Sequence, residues 1–393
     1  MPMKPAVGVA TALMALAMLM GGCTGSGDPP VEGVTRTIPT DATGPLPVVA
    51  VQDDRFVNAD ADLDERLRYI TGTGARATRV DVFWKDVAPE RPARPADPAD
   101  PAYRWTRLDA ILSRLAAADI QIILDVFNPP AWATGGRTTA NPGESAYNNI
   151  PPSPLAYGEF MEALSRRYSG GSTTDDGEPL PDIRFYEVWN EPNLDLFYRP
   201  GGGTKGRLDA YAGLVRAAYP AVKRGGGSDT VVLVGAGGPR SRTGRTGVGA
   251  RDWVRGLRKR DVPLDVYSQH IYPAANPTDE TPAFPAWATL PELLDEITAW
   301  RPALKLAITE AGYTTAATEY RKTRVTEEQQ ATNLRDMFDL PAVRDPRVLT
   351  VVWFNLQDNA AWPAGLLRED GSEKPSWDVF RRITAEPQRT LTR

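Results

Sequence analysis

The sequence predicts an α/β fold, specifically a (β/α)8 barrel, and three observations support this prediction. The chain has 393 residues, 41% of them hydrophobic and 24% charged, which is typical of a globular protein with a large core. Its β-rich runs are largely apolar and lack period-2 alternation, as expected for parallel strands buried on both faces. Eight such runs alternate with amphipathic helical patterns over ~350 residues, the pattern of a barrel. An open, doubly wound sheet is the structural alternative.

The predicted elements follow one another along the chain as strand and helix. The eight strands are Pro47–Gln52, Ala77–Trp84, Gln121–Phe127, Ile183–Trp189, Thr230–Gly235, Leu264–His270, Leu304–Thr309 and Val348–Asn355. Helical patterns include Leu108–Ala118, Pro154–Tyr168, Arg207–Arg224, Glu327–Phe338 and Trp377–Ile383. Most of the long irregular stretches lie between a strand and the helix after it. In a barrel, these loops surround the carboxyl ends of the strands, where active sites are built.

The N-terminus predicts a secretion signal at residues 1–22. Lys4 precedes an apolar stretch at 6–20, which is short for a membrane-spanning helix, and two glycines follow before Cys23. The segment resembles a bacterial lipoprotein signal with Cys23 as the lipidated residue. The alternative is a cleaved signal without lipid, because Met20 stands three places before the cysteine where the usual pattern has leucine.

Residues 23–46 are rich in Gly, Ser, Thr, Pro and Asp and predict a solvated tether, which leaves 47–393 as the globular domain. We therefore expect a protein held by a lipid on the outer face of the cell membrane. Cys23 is the only cysteine, so an internal disulfide is excluded.

Charge and composition also limit the partners of the protein. The net charge is −5 with both signs mixed along the chain, which argues against nucleic acid. One histidine and one cysteine cannot build a transition-metal site, so we expect neither a metal nor an organic cofactor. We expect a monomer.

Two glutamates stand at the ends of predicted strands. Strand four ends in Trp189-Asn190-Glu191-Pro192, and strand seven ends in Ile308-Thr309-Glu310. Because the carboxyl ends of barrel strands lie at one rim, the two carboxylates should face one another across the barrel mouth. Glycoside hydrolysis requires such a pair, one group to protonate the leaving oxygen and the other to stabilise or attack the anomeric carbon. The narrow mouth predicts carboxyl groups ~5–5.5 Å apart, the separation of retaining enzymes.

The run Trp-Asn-Glu-Pro-Asn-Leu at 189–194, together with Ile-Thr-Glu at 308–310, resembles the clan A glycoside hydrolases. The run at 189–194 looks most like that of the β-xylosidase and α-L-iduronidase family and of related cellulase-like families. The resemblance covers roughly residues 46–386. It implies that Glu191 is the acid/base, Glu310 the nucleophile and Asn190 the ligand of the sugar 2-hydroxyl.

Further substrate-binding residues are predicted at other strand ends. Arg79 is a cation in an interior strand and must be paired, with Glu310 or in a structural ion pair with Asp81 or Glu187. The resemblance implies a site role for His270 or Tyr272 near the nucleophile. It also implies that Trp353 is the platform under the cleaved sugar, since an indole stacks on apolar sugar faces. The alternative is that Trp353 is a core tryptophan.

Weaker candidates for additional subsites are Trp84, Asn128, Trp132 and Trp362, for which loop packing is an equal alternative. The predicted function is therefore that of a retaining glycoside hydrolase acting on a β-linked polysaccharide or oligosaccharide. Two other classes compete with it: a carbohydrate-binding lipoprotein on a decayed hydrolase barrel, and another barrel enzyme that uses a metal or a phosphate site. The first would lack Glu191 or Glu310, and the second would require ligand clusters or a phosphate loop.

Overall fold

The computed structural model describes residues 44–139, 147–319 and 321–392. Predicted segments 1–22 and most of 23–46, including Cys23, lie outside the described residues. The globular body already includes Leu46, which is fully buried and pairs with Gln388 in a short parallel bridge. The body thus begins at least one residue before the predicted boundary.

Eight parallel strands form a closed barrel in sequence order, with β8 returning to pair with β1. The strands are β1 Val48–Gln52, β2 Ala77–Phe83, β3 Gln121–Phe127, β4 Phe185–Val188, β5 Val231–Gly237, β6 Val266–Ile271, β7 Lys305–Ala311 and β8 Val348–Phe354. All eight predicted strands are present, and the (β/α)8 prediction is confirmed. The doubly wound alternative is wrong, because an open sheet would leave β1 and β8 unpaired.

Helices connect the strands and surround the barrel. They are α1 Leu63–Gly72, α2 Trp84–Val87, α3 Thr106–Ala117, α4 Pro154–Arg167, α5 Gly203–Gly226, α6 Ala250–Lys259, α7 Leu290–Thr298, α8 Glu327–Asp339, α9 Pro341–Arg344 and α10 Pro375–Thr384. Capping sets several of the boundaries. Asp62 accepts hydrogen bonds from the first-turn amides of α1, and Thr326 accepts one from Gln329 in α8. No helix of the described residues is long and apolar enough to cross a membrane.

Two apolar layers stabilise the barrel. A small interior cluster draws residues from all eight strands, including Ala50, Ile123, Phe185 and Leu233. A much larger cluster lies between the sheet and the helices. Leu391, near the C-terminus, packs into the interior cluster at its amino-terminal end. Because this end of the barrel is filled with apolar side chains, polar groups are left to the carboxyl ends of the strands.

Candidate active site

The two predicted glutamates meet at the carboxyl ends of β4 and β7. Glu310 lies inside β7, whereas Glu191 follows β4 after a sharp turn in which Trp189 and Glu191 adopt left-handed backbone angles, φ 73° and 40°. Such angles cost of order 1–3 kcal/mol each for non-glycine residues and persist only where the surrounding structure imposes them. Pro192 then prevents the strand from continuing. The strained turn directs a carboxylate into the barrel mouth.

The separation between the two carboxylates is small. One carboxylate oxygen of Glu191, one of Glu310 and a ring nitrogen of His270 all lie within 4.8 Å of one another. Glu191 is 3% exposed and Glu310 8% exposed, so both are shielded from bulk water. The Oε2 atom of Glu191 is buried without a hydrogen-bond partner among the described residues. The wider gap of about 6.5–9.5 Å that admits a water between the carboxyls of inverting enzymes is not formed.

His270 lies between the two glutamates. Its Nδ1 atom is 2.9 Å from Oε1 of Glu191 and 3.4 Å from Oε2 of Glu310. Burial lowers the pKa of His270 well below its usual value, and the charge of Arg79 lowers it further. The imidazole is therefore neutral. Because Nδ1 faces two carboxylate oxygens, we assign the ring proton to Nδ1, which then donates to Glu191.

Arg79 is the centre of a buried polar layer beneath the glutamates. Its guanidinium contacts Glu310 (2.8 Å), Glu187 (2.7 Å), Asp125 (2.8 Å), Asn190 (2.8 Å) and Gln52 (2.9 Å). The predicted contact with Glu310 is present, and so is the alternative pair with Glu187. The contact with Asp125 is close but lacks hydrogen-bond alignment. A charge this deeply buried must be paired, and acidic side chains surround this arginine for that reason. One of these acids is Glu310, whose carboxylate the guanidinium therefore holds in position.

The two glutamates differ in their electrostatic environments. Burial raises the pKa of Glu310 to about 7, while Arg79 and a hydrogen bond from Tyr272 oppose the rise. Burial also raises the pKa of Glu191 well above its usual range, and the charge of Glu310 adds to the rise. Glu310 therefore ionises first and Glu191 retains its proton to higher pH.

An aromatic wall borders the nucleophile side of the site. The Tyr272 hydroxyl donates to Oε2 of Glu310 at 2.7 Å, so Tyr272 lies where it was predicted, at the end of β6. Its ring packs against Trp362 at a centroid distance of 4.9 Å and against Phe354 at 6.3 Å. Trp362, a weak prediction, thus belongs to this wall. Phe354 was missed, although it is the residue after the predicted platform.

The predicted roles of two tryptophans are wrong. Trp353 is completely buried in the layer between sheet and helices, where its indole donates to the Ala364 carbonyl, so it cannot stack on a sugar. Trp84 is also completely buried and stacks on Phe160 in α4. Both side chains belong to the large cluster between sheet and helices. Trp353 lies on β8, where neighbouring residues point to opposite faces, whereas Trp84 begins α2 after β2 has ended.

Asn128 serves the loop after β3 rather than the site mouth. It is 2% exposed, has a left-handed φ of 57°, and its side-chain oxygen accepts a hydrogen bond from the Asn148 amide. The prediction that it binds substrate is therefore not supported by its contacts. Trp132 is partly buried and donates to the Ala88 carbonyl, which is likewise a loop contact.

Several site residues escaped the sequence analysis. Gln52 ends β1 and bonds to Arg79, Asp54 follows this strand, and Asp81 lies two residues beyond Arg79 on β2. The charges of Asp54 and Asp81 both act on the Glu310 region. Asp81 had been considered only as a structural partner of Arg79. The available signal was the strand period, since residues i and i+2 share one face of a strand. Asn190 was predicted, and its Oδ1 atom accepts from Arg79, which leaves the amide Nδ2 as the remaining donor.

Glu191, His270 and Glu310 are also the one group among the described residues with metal-ligand spacing. However, both oxygens of Glu310 already accept hydrogen bonds, from Arg79 and from Tyr272. A guanidinium 2.8 Å from the carboxylate also repels a second cation. The donor set therefore fits proton chemistry better than metal chemistry.

This reasoning predicts that exhaustive chelation leaves the activity of the protein unchanged, within about twofold. The measurement is the turnover of an aryl glycoside before and after treatment with EDTA and passage through a chelating resin. Loss of activity that a divalent ion restores, without a change in thermal stability, would contradict the assignment.

The comparison with known protein families decides the family. The sequence profile of "Glycosyl hydrolases family 39" matches residues 56–284, more than half of the chain. The chain belongs to glycosyl hydrolase family 39. The prediction of a clan A glycoside hydrolase is thereby confirmed at the level of the family.

A curated relative is a β-xylosidase of Caldicellulosiruptor saccharolyticus, 29% identical over 184 residues. That match covers 44% of this chain and 32% of the relative, so the family 39 chain matches about a third of its relative's length.

Solved structures with the same barrel are more distant in sequence. A glucosidase from Croceicoccus marinus is 16% identical, with a TM-score of 0.63 over 88% of this chain and 68% of that one. A monomeric β-xylosidase from Caulobacter crescentus is 17% identical, with a TM-score of 0.57 over 88% and 70%. These likenesses support the fold.

Proposed function

We propose that this family 39 protein hydrolyses β-glycosidic bonds with retention of configuration at the anomeric carbon. The observation that carries the proposal is the pair Glu191 and Glu310, whose carboxylate oxygens approach within 4.8 Å in contrasting environments. A single displacement needs room for water between the carboxyls, whereas this spacing suits a double displacement. The β configuration is supported by the family and by its β-xylosidase relative.

In the first step, the carboxylate of Glu310 attacks the anomeric carbon while Glu191 gives its proton to the glycosidic oxygen. The bond to the leaving group breaks and a glycosyl ester of Glu310 forms. Because His270 occupies Oε1 of Glu191, the proton is delivered from Oε2, the oxygen without a partner among the described residues. Arg79 and Tyr272 orient Glu310 for the attack.

In the second step, a water molecule replaces the departed group. Glu191, now ionised, removes a proton from this water, which attacks the anomeric carbon and releases Glu310 as a carboxylate. When Glu310 is esterified, its negative charge is absent and the pKa of Glu191 falls, since that charge helps to raise it. Glu191 thereby changes from acid to base within one cycle.

The stereochemical outcome tests the proposal. Proton NMR of the earliest products from an aryl β-glycoside should show the β anomer first, followed by slow mutarotation to the equilibrium mixture. If the α anomer appears first, the enzyme inverts the configuration and the proposed double displacement is wrong.

Sugar identity is tested separately. We propose a β-linked oligosaccharide or polysaccharide as the substrate class, because long loops surround the site and an aromatic wall of Tyr272, Phe354 and Trp362 borders it. A panel of aryl β-xyloside, glucoside, mannoside and galactoside, followed by intact xylans, glucans and mannans, ranks the sugars by kcat/KM. Activity on none of these substrates would contradict the proposed class.

We further propose that the protein is a monomer attached to the outer face of the membrane through a lipid on Cys23. Support comes from the order of basic, apolar and small residues before this cysteine. Cys23→Ala should release the protein from the membrane fraction of the native host, while Cys23 carries a lipid detectable by mass spectrometry in the unchanged protein. A Cys23→Ala protein that is normally processed and still membrane-bound would contradict the anchor.

A further inference from the structure

The positions of the two glutamates divide the barrel mouth into two halves, an argument that rests on the proposed function. Glu191 follows β4 and protonates the leaving oxygen, so the leaving group lies toward the β4 side. Glu310 lies on β7 and attacks the opposite face of the anomeric carbon. The sugar that stays bound, the glycone, must therefore extend over the strands beyond β7, which in the closed barrel are β8, β1 and β2.

Two aspartates occupy this half. Asp54 follows β1 and Asp81 lies on β2, and one side-chain amide, Nε2 of Gln52, donates to both at 3.2 Å. These bonds use the Oδ1 atom of each aspartate. No hydrogen bond among the described residues uses their Oδ2 atoms, and both aspartates are partly exposed. Two carboxylate oxygens thus reach the glycone half without protein donors.

A second observation is that a buried asparagine holds the backbone of Asp54. Asn355, at the end of β8, is completely buried, and its Oδ1 atom accepts from the backbone amides of Asp54 and Leu356. Its Nδ2 atom is buried and has no partner among the described residues. Asn355 therefore positions the backbone of Asp54, and the sugar-facing groups of this half are the two aspartates, whose carboxylate oxygens suit the donor side of hydroxyl groups.

The charge of the pocket limits which sugar can enter. Asp54 and Asp81 face Glu310, and burial together with these like charges raises the pKa of Asp54. The cation that contacts these acids in the described structure is Arg79, whose N–H groups are already committed to protein oxygens. A sugar carboxylate placed against Asp54 and Asp81 would meet like charge, and among the described residues the cation that contacts these acids has no N–H group left for it.

We propose that Asp54 and Asp81 are specificity residues that bind hydroxyl groups of the glycone remote from its anomeric carbon. The glycone is accordingly a neutral sugar, and uronic acids are rejected. Hydrogen bonds of this kind contribute a preference that is lost when the sugar hydroxyl is absent.

The test compares each enzyme on three substrates: an aryl β-glycoside that the unchanged protein hydrolyses, its 3-deoxy analogue and its 4-deoxy analogue. The unchanged protein should prefer the parent by about 10- to 100-fold in kcat/KM for at least one of the two analogues. Asp54→Asn and Asp81→Asn should each lower kcat/KM for the parent. In at least one of these two variants, the preference for the parent over the deoxy analogue should fall to less than about threefold. Because the preference is a ratio within one preparation, partial misfolding of a variant does not change it.

Asp64→Asn is the matched control, since Asp64 lies on α1 with its side chain 77% exposed and pairs with Arg114. It should keep the full preference. The corresponding aryl uronoside should be at least about 100-fold poorer than the neutral glycoside for the unchanged protein. If both Asn variants keep the deoxy preference, or if the uronoside is the better substrate, the inference is overturned. Failure of the proposed function can be distinguished from failure of this inference. In the first case the unchanged protein gives no product, or gives a product with inverted anomeric configuration.

Discussion

Replacing Glu310 with alanine should lower kcat for every glycoside by about 10⁴-fold or more, irrespective of the leaving group. The reason is that the glycosyl ester cannot form without this carboxylate, and no neighbouring acid can replace it at the same position. Glu191 is reserved for the leaving oxygen, and Glu187 is held by Arg79 and Thr309 below the site. The measurement is steady-state and pre-steady-state hydrolysis of aryl glycosides with good and poor leaving groups.

Azide distinguishes a missing nucleophile from a misfolded protein. In the Glu310→Ala protein, azide can enter the vacated space and attack the anomeric carbon directly, which gives an α-glycosyl azide from a β-glycoside. Glu386→Gln is the control, because Glu386 is a partly exposed acid that pairs with Arg344 outside the site. Residual turnover of the Glu310→Ala protein above a few per cent would assign the nucleophile to another residue.

Replacing Glu191 with alanine should produce a different defect that depends on the leaving group. An aryl group of low pKa can depart without a proton, so glycosylation of Glu310 continues, whereas an alkyl or sugar leaving group departs about 10²- to 10⁴-fold more slowly. Hydrolysis of the ester then becomes limiting because the base is absent. A burst of phenol equal to the enzyme concentration, followed by slow turnover, is the expected trace.

Azide should rescue this variant and yield a β-glycosyl azide, since the anion attacks the ester on Glu310 and needs no base. The opposite azide anomers expected from the two variants make the assignment of roles falsifiable. If Glu191→Ala is not rescued by azide, or if it slows aryl and sugar leaving groups equally, Glu191 is not the acid/base.

The pH dependence follows from the directions of the two pKa shifts. Glu310 must be ionised, so activity is lost as pH falls through the pKa of Glu310, which burial raises. Glu191 must be protonated, so activity is lost as pH rises through the pKa of Glu191, which burial and Glu310 raise well above its usual range. The Glu191→Ala protein should therefore lose the alkaline fall in kcat/KM for activated aryl substrates and retain the acidic one.

Much of the barrel was predictable because its determinants are local. Apolar runs bounded by turn residues specify buried parallel strands, and all eight were located, with β3 predicted residue for residue. The glutamates were found for the same reason, since each follows or ends one of these runs and strand ends share one rim. Arg79 could be assigned to the interior because a cation within an apolar strand requires a partner.

The aromatic lining depended on side-chain direction, which sequence alone left undetermined. Trp353 and Phe354 are adjacent, so a difference of one residue in register moves one ring into the site and the other into the outer layer. The pairing of β7 with β8 contains irregularities between Ile308 and Ala311, close to these residues. The alternation of side chains along β8 does not reveal a change of register that arises from its pairing with β7.

The sequence by itself determined the barrel, the two glutamates and the need for a paired arginine, because each depends on the period and ends of a single strand. Only the tertiary structure decided which groups surround them. Asp54, Asp81 and Asn355 come from three strands and become neighbours through closure of the barrel between β8 and β1. The pKa of each glutamate likewise depends on burial and on charges from distant parts of the chain, which no local pattern records.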